Sequence, residues 1–417
     1  MNICIVNSFP CKKNTQPGNG SELRVALLSK FFATLPEYTI RVVGTDKTPF
    51  FKREGNITFE DALFPSSFLM RLALFIIQRV LTRVPKFPAI GLIARYLLPC
   101  YDRRFMEKLE EAVVWADVVI IEQIYNGRAA MRLCKKHGKC AVASTHNVEA
   151  DLWISASEPK WIRRWSLELE LNTLREATYA VACSEADAAV FRHHGLEMIK
   201  VIDNPVDTFT ALPDERTVNH IRQKFSVNEQ SAFFIGGPAG HNVEGATLVC
   251  MEIAPQLPEY TFFILGSVCG SLPPSVLNKI GKNVRLVGSV SDGEMRAFYM
   301  LCPVVLVPLR HGSGTSLKLI EALGYGKTIL TTSIGARGIK FEHGVHGLVC
   351  NDMAAYPQLI RSLTAADRER FAVAAKELAE VYDYRTVFKK YLPMLAGAGH
   401  AGRAAAESKV SANSNAR

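Results

Sequence analysis

Short apolar runs rich in β-branched residues alternate with longer amphipathic stretches along most of this chain. Residues 1–7, 39–45, 116–123, 140–145 and 179–183 read as buried strands, being short, apolar and bounded by turn residues. Between them, residues 22–35, 126–137 and 185–194 carry helical spacing. Residues 149–177 read as a long polar helix broken near Pro159. The alternation resumes with strands at 232–236, 260–266, 284–288, 304–307 and 328–332, and helices at 243–253, 292–301 and 316–323. Such βαβ alternation predicts an α/β class with parallel sheets. A last helix is expected at 383–395. Residues 397–417, rich in Ala, Ser, Gly and Asn, are expected to be disordered.

The stretch 304–338 concentrates the chemistry. A strand runs into His311-Gly312-Ser313-Gly314-Thr315, and a helix follows with Leu317, Leu319, Ile320 and Leu323 on one face. Glycines at such a turn expose backbone N–H groups, and the helix start adds unpaired N–H groups and a positive dipole end. The result suits an anion, most often phosphate. Arg310 and Lys318 flank it with positive charge. Glu321, one turn beyond Lys318, can accept hydrogen bonds from a ribose diol. Anion site plus carboxylate suits a nucleoside diphosphate. The bland alternative is a turn that merely lets a helix pack, with Glu321 a solvated charge.

These residues, PLRHGSGTSLKLIEALGYGKTILTTSIGARGI, resemble the donor-site region of the GT-B glycosyltransferases of family 4, in a branch with a GSGT-x-LK-x-x-EA signature. Many relatives carry E-x(7)-E here. This chain keeps the second Glu as Glu321 and has Ser313 at the first position, and Ser316 stands where a basic residue is usual. The resemblance implies two Rossmann-like α/β domains facing an interdomain cleft, with a C-terminal helix crossing back to the first domain. The expected division is 1–207 (acceptor side), 208–382 (nucleotide-sugar donor side), 383–396 (crossover helix) and a tail, 397–417.

The resemblance also implies roles. Ser313, Gly314, Thr315, Ser316, Leu317 and Glu321 would bind donor, and residues 286–290, ending in Val290, would face the base. The loop after the first strand offers Gly18, Gly20 and Arg24 near the donor phosphates. His146, in an HNVE element at a strand's carboxyl end, would reach the donor sugar; the alternative is a helix-entry histidine satisfied locally. Residues 236–245, GGPAGHNVEG, lack the Arg and Lys that many relatives place there, so Arg310 and Lys318 carry more of the diphosphate. His146, Arg310 and Lys318 are thus the candidate catalytic residues.

The implied reaction moves a sugar from a nucleoside-diphosphate donor to a glycan acceptor, with retention. No cofactor and no metal are expected, since no D-x-D pair stands at a suitable strand end. A nucleotide-sugar epimerase and a non-catalytic nucleotide-sugar-binding protein remain as alternatives. A nicotinamide enzyme is disfavoured, because the first βα turn lacks G-x-G-x-x-G.

Composition adds location. The chain has 417 residues and a formal charge of +9, which favours anionic partners such as a nucleotide or a membrane surface. No nucleic-acid partner is expected. The ten cysteines show no CxxC or metal spacing and fit a reducing cytoplasm. Met1 leads straight into a strand, so no signal peptide is read. Residues 66–99 interleave large apolar residues with Arg71, Arg79, Arg83, Lys86 and Arg95 and contain no acid. They fit reversible attachment to the inner face of the plasma membrane, where a lipid-linked acceptor would lie. A helix that covers the core with a solvated basic face is the alternative.

Overall fold

The computed structural model describes residues 1–15, 19–77, 90–150, 160–208, 212–312 and 314–397. The chain forms two units, one from Met1–Pro205 with the chain from Tyr384 on, the other Val206–Asp383. Each is an α/β unit around a largely parallel sheet.

The first sheet holds β1 (Asn2–Val6), β2 (Thr39–Asp46), β3 (Phe51–Glu54), β4 (Ile57–Leu63), β5 (Val118–Glu122), β6 (Cys140–Ser144), β7 (Tyr179–Ala182) and β8 (Ile199–Val201). Their order is β3-β4-β2-β1-β5-β6-β7-β8, and among the described residues only the edge strand β3 pairs antiparallel. The central strands are apolar on both faces because helices cover both. The helices used below are α1 (Gly20–Ala33), α2 (Phe68–Ile76), α3 (Ile90–Leu97), α4 (Arg103–Trp115), α5 (Gly127–His137) and α6 (Lys160–Glu176). Asn19 caps α1 by accepting from the Ser21 and Glu22 amides. Strand order reverses between β1 and β5, so the loops after these strands diverge and leave a crevice at their carboxyl ends.

The second sheet holds β9 (Ser231–Ile235), β10 (Thr261–Leu265), β11 (Val284–Gly288), β12 (Val304–Val307), β13 (Thr328–Thr331) and β14 (Leu348–Val349). All are parallel, in the order β11-β10-β9-β12-β13-β14. Here the reversal falls between β9 and β12, which pair through Ala232–Val304 and Phe233–Val305. The helices α7 (Glu215–Phe225), α8 (Gly240–Leu248), α9 (Asp292–Leu301), α10 (Leu317–Gly324) and α11 (Ala365–Val381) pack on one continuous core. A π turn, Val249–Ile253, extends α8.

The chain from Tyr384 on packs in the first unit. It runs through α12 (Tyr384–Phe388) and a 3₁₀ turn, Lys389–Tyr391, into helical residues 392–397. Val387, Phe388, Tyr391 and Leu395 join Phe31 and Phe32 of α1 in the core there. The tail expected to be disordered, 397–417, begins at Gly397, which instead ends the helical residues; 398–417 lie outside the described residues, as do Arg79, Arg83 and Lys86. Among the described residues, no helix is long and apolar enough to cross a membrane.

Candidate functional site

The second unit's crevice is built by two helices that start uncapped. After β12, Gly312 (φ 143°) and Gly314 (φ 69°) take backbone conformations that favour glycine and turn the chain into α10. Ser316 occupies the N-cap but makes no capping hydrogen bond, and Ala239 at the N-cap of α8 has no side-chain acceptor. Both helices thus present their first N–H groups unpaired by a cap. They follow β9 and β12, the two strands that flank the reversal. Among the described residues, the Thr315 Oγ1 and Ser316 Oγ atoms are buried without a hydrogen-bond partner. Buried hydroxyls are seldom left so, and a bound anion's oxygens would satisfy them.

Lys318 reaches from the first turn of α10 to the other helix start. Its Nζ donates to Asn242 Oδ1 at 2.5 Å and sits 4.6 Å from the centre of the Phe234 ring. Burial pushes its ammonium down to about 7, and Glu321 only partly opposes this. Glu321 is pushed up to about 7 by burial, against the pull of the Tyr299 hydroxyl and Lys318. The Tyr299 hydroxyl stands 2.9 Å from Glu321 Oε2, and the Tyr299 ring stacks on Tyr325 at 5.1 Å. Burial, then Lys318 and His311, hold His241 down at about 4, so this histidine is neutral near pH 7. A half-buried cation and a half-buried carboxylate, one turn apart, are poised to gain from a ligand that brings phosphate to one and hydroxyls to the other.

The turn's outer residues are held by α8 and its extension. His311 Nδ1 lies 2.7 Å from Glu244 Oε2, and the exposed Arg310 places Nη2 3.5 Å from the Glu252 carboxylate. On the other side, the loops after β9, β10 and β11 meet. The Gly266 amide donates to the Gly288 carbonyl at 2.7 Å, and a Cβ on Gly266 would fall 2.3 Å from the Gly236 carbonyl oxygen. Val290, half-buried, packs on the core beside them.

The first unit carries a second polar cluster, fully buried. Arg24 of α1 donates from Nε to Glu122 Oε2 at 3.1 Å. Its Nη1 reaches the Ile202 and Asp203 carbonyls and Asn204 Oδ1 at 2.9–3.1 Å, and its Nη2 reaches Ser144 Oγ at 3.3 Å. Glu122 ends β5, beside that sheet's reversal. It also takes His146 Nε2 at 2.6 Å and the Tyr391 hydroxyl at 2.6 Å. Burial alone would raise the Glu122 carboxyl; Arg24, then His146 and Tyr391, overcome this and hold it at about 2. His146 Nδ1 is buried with no protein partner among the described residues.

Gly314, Thr315, Ser316, Lys318 and Glu321 therefore lie together at the start of α10, where Leu317 packs its side chain on the core; Arg310 stands on the outer flank and Val290 near the β11 loop. His146 belongs to the cluster in the first unit, with Arg24. Gly20 opens α1 and is exposed; Gly18 and Ser313 lie outside the described residues. Asn242, Tyr299, Phe234, Glu122 and Tyr391 were not anticipated. Asn242 alone had a signal, its place in the first turn of a helix after a glycine pair.

A family described as Glycosyltransferase Family 4 matches residues 19–209, and one described as Glycosyl transferases group 1 matches residues 229–366. A relative from Klebsiella pneumoniae, an uncharacterized 44.6 kDa protein in a cps region, is 24% identical over 177 residues. That match spans 40% of this chain and 46% of the relative, so less than half of the relative's length is covered. Among solved structures, Anabaena Alr3699/HepE in complex with UDP and glucose is 15% identical, with a TM-score of 0.67, covering 95% of this chain and 100% of that one. Sucrose-phosphate synthase from Thermosynechococcus elongatus is 14% identical, with a TM-score of 0.70 and the same coverage. A glycosyltransferase from Rickettsia africae is 13% identical, with a TM-score of 0.61, covering 95% and 98%. These likenesses establish the fold, two α/β domains of the GT-B kind.

Proposed function

This chain belongs to the family 4 glycosyltransferases of the GT-B fold, and from that premise we propose that it transfers a sugar from a nucleoside-diphosphate donor to a glycan acceptor, with retention at the anomeric carbon. The observation that carries the reading is the turn from Gly312 to Ser316. It lies between two uncapped helix starts, with Lys318 and Glu321 one turn apart behind it. The diphosphate would take the helix amides, the Thr315 and Ser316 hydroxyls and Lys318, and the ribose diol would donate to Glu321. Solved relatives that hold UDP support this donor class.

In this reading the transition state is stabilised where the leaving diphosphate gathers charge. Amides fixed before the reaction need no reorganisation as that charge develops. Attack from the leaving-group side gives retention and lets a phosphate oxygen take the acceptor's proton. No side chain is then needed as general base. His146, held from Nε2 by Glu122, would present Nδ1 to the donor sugar.

The acceptor proposed is lipid-linked, in polysaccharide or glycolipid synthesis at the inner face of the plasma membrane. The acid-free basic stretch 66–99 supports the membrane setting, and the relative's place in a cps region agrees with polysaccharide synthesis. The test is a thermal-shift panel of nucleotides and nucleotide sugars, followed by incubation of the stabilising nucleotide sugar with and without lipid-linked glycans. Binding stabilises by mass action, so a nucleoside diphosphate and its sugar should raise the midpoint, and sugar should pass to acceptor. Epimerised donor without acceptor, or binding with no turnover on any acceptor, would replace transfer by one of the alternatives.

A further inference from the structure

We propose that the first unit docks on an anionic bilayer through two aromatic faces, Trp161 and Trp165 on α6 and the stripe Phe68, Leu72, Phe75 and Ile76 on α2. This deepens the membrane setting of the proposed function and rests on that part of it, not on the chemistry of transfer.

The first observation is α6. Its inner face, including Ile162, Leu167, Leu171 and Leu174, is buried. One turn apart on its outer side, Trp161 is 56% exposed and Trp165 43%. Lys160, Arg163 and Arg164, all exposed, stand around them. The helix's first acid, Glu168, is held by Arg175 at 2.6 Å. Exposed indoles one turn apart among cations are an uneconomical surface for water. They suit the headgroup level of a bilayer, where an indole has one apolar and one wet side and basic residues meet lipid phosphate.

The second observation is α2. Ser67 accepts from the Met70 amide and fixes the helix start. Phe68, Leu72, Phe75 and Ile76 are 77, 42, 57 and 44% exposed, at the 0, 4, 7 and 8 spacing of one helix face. Arg71 is exposed on the same helix. In α3, Arg95 is exposed, and Leu97 packs with Leu169 of α6 against one apolar cluster. The end of the basic stretch, α3, and the tryptophan helix are therefore neighbours. Charge decides the occupant: residues 66–99 and 160–166 contain no acid, which matches an anionic lipid surface.

The test uses the full chain with phosphatidylcholine vesicles, with and without phosphatidylglycerol, some lipids carrying brominated acyl chains. Wild type should sediment with the anionic vesicles, less so at high salt, and the brominated lipid should quench its fluorescence. W161F/W165F should bind but lose most of the quenching. W161S/W165S and F68S/F75S should each lower vesicle affinity about tenfold, with unchanged circular dichroism. Wild type that ignores anionic vesicles would overturn the membrane setting and this inference together. Vesicle binding without quenching, equal in the serine variants, would overturn this inference alone. So would a wild-type dimer that W161S/W165S dissolves, which would make the indoles a protein contact.

Discussion

Lys318 Nζ stands 2.5 Å from Asn242 Oδ1, so a side chain from the start of one helix is tied to the start of the other. The bond spans the two strands at which the sheet's order reverses. Asn242 is neutral, Phe234 offers only its ring face and Glu321 only partly offsets the burial, so the ammonium's positive charge is incompletely answered within the protein. A diphosphate would answer it. Lys318→Ala should weaken nucleoside diphosphate binding by about 1.5–3 kcal/mol, the range for a hydrogen bond to a charged group. The free nucleoside should lose much less. Calorimetric titration with both ligands checks this, and an equal loss for both would assign Lys318 to packing or to the base.

Glu321 is expected to work at the other end of the donor. Glu321→Gln should cost about 1–3 kcal/mol of nucleoside diphosphate affinity and should weaken the free nucleoside as well. The unliganded protein should keep its thermal midpoint near pH 7. Burial already pushes this carboxyl toward its neutral form, which an amide imitates. Thermal unfolding with and without ligand separates the two effects.

Glu122 is the anion of the first unit's buried cluster, and Glu122→Gln leaves Arg24 without its counter-charge. A broken buried pair costs about 3–5 kcal/mol, so urea unfolding should show a loss of that order. The sign with pH follows from the carboxyl's value of about 2, below its ordinary 4.5. Its stabilisation is complete above 4.5 and is lost as pH falls toward 2, so the variant should show a flatter acid limb than wild type. His146→Ala should instead lower turnover more than donor affinity, because its proposed contact is with the sugar.

Much of the fold was legible because central parallel strands buried on both faces are plain apolar runs: β12 lies where the pattern put it, and so do the half-exposed edge strand β11 and the helix α9. The hairpin β3–β4 was not legible. All four residues of β3 are exposed, and β4 buries Glu60 and Asp61, which break its apolar run. Glu60 is answered by Arg41 and Lys108, and Asp61 by the Cys11 amide; these partners are distant in the chain. The start of α8 was read three residues late because Gly240, His241 and Asn242 are weak helix formers. In the second unit's crevice, the glycine turn, Lys318 and Glu321 stand together in the chain and could be read as a unit. Asn242 and Tyr299 could not be read as partners, since their roles exist only once β9 and β12 are side by side.

Gly266 tests how tightly the loops after β9, β10 and β11 are joined. It has φ 94°, and an added Cβ would sit 2.3 Å from the Gly236 carbonyl oxygen. Backbone strain and collision together predict that Gly266→Ala costs about 2–4 kcal/mol. Gly288 is the control: its φ is 80°, but its Cβ would meet nothing within 4 Å. Gly288→Ala should cost about 1 kcal/mol, the conformational part alone. Equal losses in thermal unfolding would mean that the loops yield.

Donor affinity should peak near pH 7 and fall on both sides. Lys318 and Glu321 each titrate at about 7 in the unliganded protein. Diphosphate binding needs the ammonium, so affinity falls as pH rises above 7 and Lys318 loses its proton. The ribose contact needs the carboxylate, so affinity falls as pH drops below 7 and Glu321 gains one. The groups that face the pair do not supply these limbs. His241, beside Lys318, is already neutral, and Tyr299, against Glu321, titrates well above this range. Asp292 and Arg296 act on Glu321 as charges of opposite sign. The ligand's own phosphate titration is common to every variant, so the variants isolate each arm. Lys318→Ala should remove the alkaline limb and Glu321→Gln the acid limb, measured as nucleoside diphosphate affinity from pH 5.5 to 8.5, about one and a half units either side of the peak. A wild-type profile that both variants reproduce would show that neither group is titrating at the donor.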